Sequence, residues 1–150
     1  MTTRAMRPGE SQGKPYFHIS TEEFEQKIKT GEVFEFTITV RDGEYRGMSK
    51  QIIDEIIKTG KIQFKDCDEI GIRALRREYP NQVIAIYLHV PKEEVARRIR
   101  ERGGSEEDMA NRLADYDEYS KIRELCDYTI ENCDLGNCVE AVHKLVQGIT

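Results

Sequence analysis

The clearest pattern along the chain is an alternation. Phe34, Phe36, Ile38 and Val40 are spaced by Glu35, Thr37 and Thr39, the two-residue period of a half-buried strand, which puts Glu35 on the face opposite the phenylalanines. Asp42-Gly43 suits a tight hairpin turn into Tyr45. Before this strand, Ser20-Thr21-Glu22-Glu23 has the Ser-x-x-Glu form of a capping box and predicts a short helix with Phe24 and Ile28 on one face and Gly31 past its end. After it, Ser49 is placed to cap a helix carrying Ile52, Ile53, Ile56 and Ile57 that stops at Gly60. Ile62 to Asp66 makes a poor strand, interrupted by Gln63 and Lys65, whereas Val83 to Val90 predicts a good buried one closed by Pro91.

Helices are predicted over Ile70 to Tyr79, Pro91 to Arg102 and Ser105 to about Leu125, the last opened by Ser105-x-x-Asp108. A final strand is expected at Asp127 to Glu131, and then an amphipathic helix over Leu135 to Val146 with Val139, Val142 and Val146 inward. Strand and helix alternate, so the predicted class is α/β with a parallel sheet. The length of 150 residues corresponds to one domain, 1–150, with no repeat or linker in it.

Composition narrows the function classes. With 38% hydrophobic and 34% charged residues the chain reads as a well-solvated globular protein. Its longest apolar run, Val83 to Leu88, is far short of the roughly 20 residues that span a bilayer, so no membrane association is expected. The first residues lack the apolar stretch of a secretory signal, which predicts a cytoplasmic protein with free thiols. Cys67, Cys126, Cys133 and Cys138 form no Cys-x-x-Cys pair, and buried or incidental thiols are favoured over a metal site with His143. A net charge of -5 argues against broad capture of nucleic acid, so any basic site must be local.

One such site suggests itself in the head of the chain. Thr2-Thr3-Arg4-Ala5-Met6-Arg7-Pro8-Gly9-Glu10, followed by Gly13-Lys14-Pro15-Tyr16-Phe17, sets two arginines on a Gly/Pro-constrained loop with a tyrosine nearby. Guanidinium forks match phosphate oxygens bidentately and a phenol adds a hydrogen bond, so the loop is a candidate anion site; solvated loop arginines are the plain alternative.

The pattern Thr-Thr-Arg-x-x-Arg-x-Gly-Glu-x-x-Gly-x-x-Tyr closely resembles the GMP-binding loop of guanylate kinases. The resemblance runs on through Gly31-Glu32-Val33-Phe34-Glu35, Tyr45-Arg46-Gly47, Asp66-Cys67-Asp68 with Gly71, Arg98-Ile99-Arg100-Glu101-Arg102-Gly103, Asn111-Arg112-Leu113 and Asp127 to Asn132, covering essentially the whole chain. It implies the P-loop nucleoside monophosphate kinase-like fold, with GMP-binding and lid subregions, and transfer of phosphate from ATP to GMP. By the same resemblance Arg4, Arg7 and Tyr16 hold the GMP phosphate, and Glu35 and Asp68 read the base; Arg46, which departs from the family's residue, can still meet the phosphate. Arg98, Arg102 and Arg112 are implied as lid arginines that neutralise the transferred group, Asp66 as an indirect Mg2+-side acid, and Asn132 as a contact of the ATP adenine. Arg97 and Arg100 read as solvent-facing. Guanine offers donors at N1 and the 2-amino group, and ionised carboxylates are acceptor-only groups that suit them.

Two departures accompany the resemblance. The family's strand and Gly-x-x-x-x-Gly-Lys-[Ser/Thr] loop, which hold the ATP phosphates, have no counterpart: the Gly-Lys pairs are Gly13-Lys14, followed by Pro15, and Gly60-Lys61, followed by Ile62. The chain is thus expected to lack the first strand, the P-loop and the first helix. That strand would lie between the segments matching Ile62 to Asp66 and Val83 to Val90, so these are expected to re-pair or to weaken the fold. Arg46 and Met48 also stand where the family has tyrosine and serine or threonine. The alternative reading is a catalytically inactive module that binds GMP or a phosphorylated peptide through Arg4, Arg7, Arg46 and Tyr16; a fragment without independent function is the third. Oligomeric state is not legible.

Overall fold

The computed structural model describes residues 1–14, 16–39 and 42–149. The chain divides into two compact units, Met1–Ala74 and Leu75–Thr150. Among the described residues no helix is long and apolar enough to cross a membrane.

In the first unit, Ser20 accepts a hydrogen bond from the Glu23 amide and opens α1 (Thr21–Lys29), whose Phe24 is completely buried. Gly31, at φ +74°, then turns the chain into β1 (Val33–Ile38), a conformation in which a Cβ is strained. β1 pairs antiparallel with β2 (Tyr45–Ser49), and Ser49 caps α2 (Lys50–Lys58). The four isoleucines of α2 are half-buried. Two single bridges extend the hairpin: Thr2 pairs with Arg46 on one side and with His18 on the other. Thr2 Oγ1 donates to the Tyr45 carbonyl at 2.9 Å, and Thr2, 1% exposed, is among the most buried side chains of the chain.

The predicted alternation forms a strand, but with a bulge. Val33 lies opposite Ser49 and Glu35 opposite Met48, so the register shifts between Val33 and Glu35. Phe36 and Ile38 are largely exposed rather than buried, and Val40 lies outside the described residues. The packing that does form is aromatic: the rings of Phe24, Phe36 and Tyr45 meet at centroid distances of 5.1–6.4 Å. Gly47 makes this possible, since a Cβ there would lie 2.6 Å from the Glu35 carbonyl oxygen and 2.9 Å from Phe24 Cζ.

Ile62 to Asp66 is not a strand. The segment is exposed, with Phe64 62% accessible, and among the described residues no neighbour offers it a ladder. It leads into α3 (Glu69–Glu78), with Gly71, Ile72 and Ala74 buried.

In the second unit β3 (Ile86–His89) pairs in parallel with β4 (Tyr128–Glu131), giving the parallel pairing expected from the α/β order. The predicted strand from Val83 to Val90 is shortened to these four residues, with Ile84 and Leu88 still substantially exposed. α4 (Lys92–Glu101) begins after Pro91. The single helix predicted from Ser105 to Leu125 is instead α5 (Glu106–Ala114), α6 (Tyr116–Ser120) and a 3-10 turn over Lys121–Leu125. The break comes where Tyr116 turns back to donate to the Val90 carbonyl at 2.7 Å, a contact that no local propensity encodes. α7 (Leu135–Ile149) closes the unit. Its inward stripe runs through buried Cys138 with half-buried Val142, Leu145 and Val146; of the three valines expected inward, Val139 is instead 59% exposed.

Two glycine substitutions test this packing. Gly47→Ala should destabilise the protein by about 1–3 kcal/mol, because its Cβ meets backbone that cannot step aside. Gly148→Ala, in α7 with nothing within 4 Å, should leave the thermal midpoint unchanged or slightly raised. Thermal melts of both variants check the contrast.

Candidate functional site

The anion loop is built from a turn and a carboxylate. Pro8 and Gly9 occupy the corner of a turn in which the Glu10 amide donates to the Arg7 carbonyl at 3.0 Å, and Gly9 takes φ +87° as the second corner residue must. The turn brings Glu10 back over the loop. Its Oε1 and Oε2 accept from Arg4 Nη2 at 2.7 and 2.9 Å, and Oε2 also accepts from the Arg7 amide at 2.8 Å. The Arg4 guanidinium and the Arg7 amide hold the Glu10 carboxyl below the usual carboxylate range. Arg4 is itself 9% exposed, donates from Nη1 to the Ala5 carbonyl, and lies 5.9 Å from the Tyr16 ring centroid. The Arg4 guanidinium and the Arg7 amide therefore meet on one carboxylate, with the Tyr16 ring beside Arg4. Glu10, which sequence reasoning quoted in a motif but assigned no role, organises them; its signal was the Pro-Gly corner ahead of it.

Gln12 closes the loop from the other end. Its amide donates to the His18 carbonyl and accepts from the His18 amide, both at 2.7 Å. Arg46, also assigned to the phosphate, sits exposed on β2 directly beside Thr2. Met48 is buried, where no hydroxyl is offered to a ligand.

The two base-reading candidates are brought together. Glu35, half-buried at the bulge of β1, is pushed up by burial and then by the negative charge of Asp68, with Lys65 opposing. Asp68 ends the exposed 61–68 segment and accepts the Gly71 amide on Oδ1 at 2.8 Å, capping α3. Asp66 is exposed two residues before it. It is a single carboxylate; no group of three or more metal-ligating side chains occurs among the described residues. The described residues therefore form no cage for a divalent cation.

The lid candidates and Asn132 belong to the second unit. Arg98 is heavily engaged: Nε donates to Glu94 Oε1 at 2.7 Å, and Nη2 to the carbonyls of Asn132 and Cys133 at 2.6 and 3.0 Å. It joins α4 to the turn after β4. Arg97, expected to face solvent, is 54% exposed but chelates Glu94 and reaches Glu101. The two guanidiniums hold the Glu94 carboxyl down at about 2. Arg102 is exposed at the end of α4, and Arg112 is exposed on α5, paired one turn back with Asp108 at 3.2 Å. Asn132 extends the β3–β4 ladder, its amide donating to the His89 carbonyl at 2.8 Å. The structure thus brings Arg98 to the Asn132 backbone, while Arg112 has its own partner on α5. All four cysteines are free.

The fold is similar to that of a solved α/β protein, the crystal structure of guanylate kinase from Anaplasma phagocytophilum, with a TM-score of 0.73, covering 98% of this chain and 71% of that one, at 24% identity. The family model described as guanylate kinase matches residues 1–148. Guanylate kinases of Symbiobacterium thermophilum and Idiomarina loihiensis are 36% and 37% identical to the chain, which matches over 97% of its length and spans 68% and 69% of theirs. The chain belongs to the guanylate kinase family, whose members are transferases that use ATP and Mg2+.

The Glu94 chelate has a measurable signature. Its folded-state carboxyl titrates at about 2, below the roughly 4.3 of an unfolded glutamate. The group thus favours the folded state at all pH above about 4.3, and that contribution is lost as pH falls towards 2. An NMR titration of the Glu94 side-chain carbon should show a midpoint near 2, returning to the ordinary glutamate range in a chain carrying both Arg97→Ala and Arg98→Ala.

Proposed function

We propose that the chain binds GMP in its first unit, with Glu35 and Asp68 on the base and Arg4, Arg7, Tyr16 and Arg46 on the phosphate. The observation that carries this is that Glu35 and Asp68, carboxylates from distant parts of the sequence, come close enough for the Asp68 charge to add to burial in raising the Glu35 carboxyl. Guanine presents two adjacent donors on one edge and adenine does not. A module for phosphorylated peptides would need the arginine loop but has no use for the paired carboxylates. In the second unit Arg98, Arg102 and Arg112 are the groups available to neutralise a transferred phosphoryl, and the Asn132 turn is the adenine contact.

Phosphoryl transfer depends on positioning and charge neutralisation of the ATP phosphates. The 150 residues contain no Gly-x-x-x-x-Gly-Lys-[Ser/Thr] sequence to supply the amides, the lysine and the hydroxyl together. We therefore assign to these 150 residues GMP binding without turnover of ATP and GMP on their own.

Calorimetric titration should give tighter binding of GMP than of AMP, with Glu35→Gln weakening GMP by about 10-fold or more, the loss of a charge-assisted contact worth roughly 1.5–3 kcal/mol. Equal affinities for the two nucleotides, unchanged by the substitution, would refute the base assignment. Arg7→Ala should weaken GMP far more than guanosine. Because the ionised Glu35 is the acceptor and its carboxyl is raised, guanosine binding should fall on acidification from a pH above the ordinary glutamate range.

A coupled assay for ADP and GDP, run with Mg2+ on the purified chain, should show no GMP-dependent turnover. Rates of about 1–100 per second, abolished by Arg112→Ala, would overturn the assignment.

A further inference from the structure

The side chain of His18 contacts both members of the Arg4–Glu10 pair. Its backbone is pinned by the Gln12 amide and by the bridge to Thr2, so the placement of its ring is set by two independent contacts. The side chain is 8% exposed. Nδ1 lies 2.8 Å from the Arg4 carbonyl oxygen, which only accepts, so Nδ1 carries a proton. Nε2 faces Glu10 Oε2 at 3.5 Å and is the one buried side-chain nitrogen or oxygen among the described residues without a hydrogen-bond partner.

These two facts define a charge problem. In a neutral ring protonated on Nδ1, Nε2 is a bare lone pair pointing at a carboxylate oxygen. A proton on Nε2 converts the same approach into a charge-assisted N–H to oxygen bond. In the ligand-free loop Glu10 has no need of that proton, because Arg4 already supplies a full positive charge through two hydrogen bonds. A phosphate dianion at the loop competes with Glu10 for the Arg4 guanidinium. As Arg4 turns towards it, Glu10 is left as a carboxylate of low exposure with only the Arg7 amide, an unfavourable arrangement unless another cation takes over. The charged or titratable groups facing the His18 ring are Glu10, Arg4 and the edge-on Tyr16 ring, 6.4 Å away between centroids. Of these none but Glu10 is an anion, and none but Arg4 a cation.

We propose that His18 is a positioning residue of the anion loop, taking up a proton at Nε2 from solvent to become the counter-charge of Glu10 when Arg4 is committed to a bound phosphate or sulfate. Anion binding at this loop is then coupled to uptake of one proton, and imidazole is the side chain whose charge changes in the physiological range. This rests on the reading of the Arg4–Arg7 loop as the phosphate site.

Sulfate is the probe, because its charge does not change between pH 6 and 8 whereas the phosphate of GMP titrates there. Equilibrium titration of the full chain should give sulfate binding about threefold or more tighter at pH 6 than at pH 8, the linkage expected when binding raises the titration midpoint of one group by about half a unit or more. His18→Asn keeps a donor for the Arg4 carbonyl but has no titrating charge, and His18→Gln places a neutral amide near Glu10. Both should bind sulfate with affinities that differ little between the two pH values, and thermal melts establish that they are folded. Groups that titrate elsewhere in the chain are common to all three proteins and cancel in the comparison. In the wild type the His18 Cε1 proton should move downfield, towards its imidazolium position, when sulfate is added at pH 7, a readout that needs no variant to fold. A pH dependence equal in wild type and variants, or a His18 ring unmoved by bound sulfate, would overturn the proposal while leaving the anion site intact. Failure of both sulfate and GMP to bind at either pH would overturn the phosphate reading of the loop and this coupling with it.

Discussion

The first unit depends on one carboxylate. Arg4 and Arg7 stand three residues apart on a loop with little regular structure, and two guanidiniums there would repel each other and leave the backbone free to wander. Glu10 removes both problems at once, pairing with the Arg4 guanidinium and accepting the Arg7 amide. The Pro8-Gly9 corner aims it, since only a turn with positive φ at its second corner returns the chain so sharply. Arg4 is in turn buried against Tyr16, and Tyr16 against His18. The loop is thus held by backbone bridges at Thr2 and at Ser11 and Lys14, and within it by the Glu10 carboxylate.

The base site follows a different logic. Glu35 is aimed by a bulge in β1, a device that turns one side chain out of the strand's alternation. The hairpin tolerates the bulge because Gly47 on β2 offers no Cβ to the approaching Glu35 carbonyl. Asp68 comes from the other direction, restrained by capping α3 with one oxygen. Two acidic side chains are therefore held near each other, and the Glu35 carboxyl is raised by its burial and then by the Asp68 charge.

In the second unit the arginines divide by what they touch. Arg98 spends its donors on Glu94 and on two backbone carbonyls, so its role in the structure as it stands is to tie α4 to the Asn132 turn. Arg102 and Arg112 remain exposed, Arg112 held only by an i,i+4 pair of the kind worth a few tenths of a kcal/mol. Their guanidiniums are less committed to the fold than that of Arg98.

Much of this was legible in the order of residues. The capping boxes at Ser20 and Ser105, the glycine stops at Gly31 and Gly60, and the apolar spacing in α2 and α3 are local signals, and local backbone chemistry decides them. The family and the candidate residues were likewise readable, because the motif residues occur in order along the whole chain. Tertiary structure alone decided the rest. Ile62 to Asp66 is no strand because pairing needs a neighbour, and a sequence segment cannot state what lies beside it. The helix predicted from Ser105 to Leu125 breaks at Asp115 because Tyr116 reaches a carbonyl at the end of β3. The bulge that turns Glu35, and the meeting of Glu10 with His18, depend on contacts between residues whose spacing obeys no period. Periodicity reports a face; which charge meets which on that face is fixed only when the chain has closed.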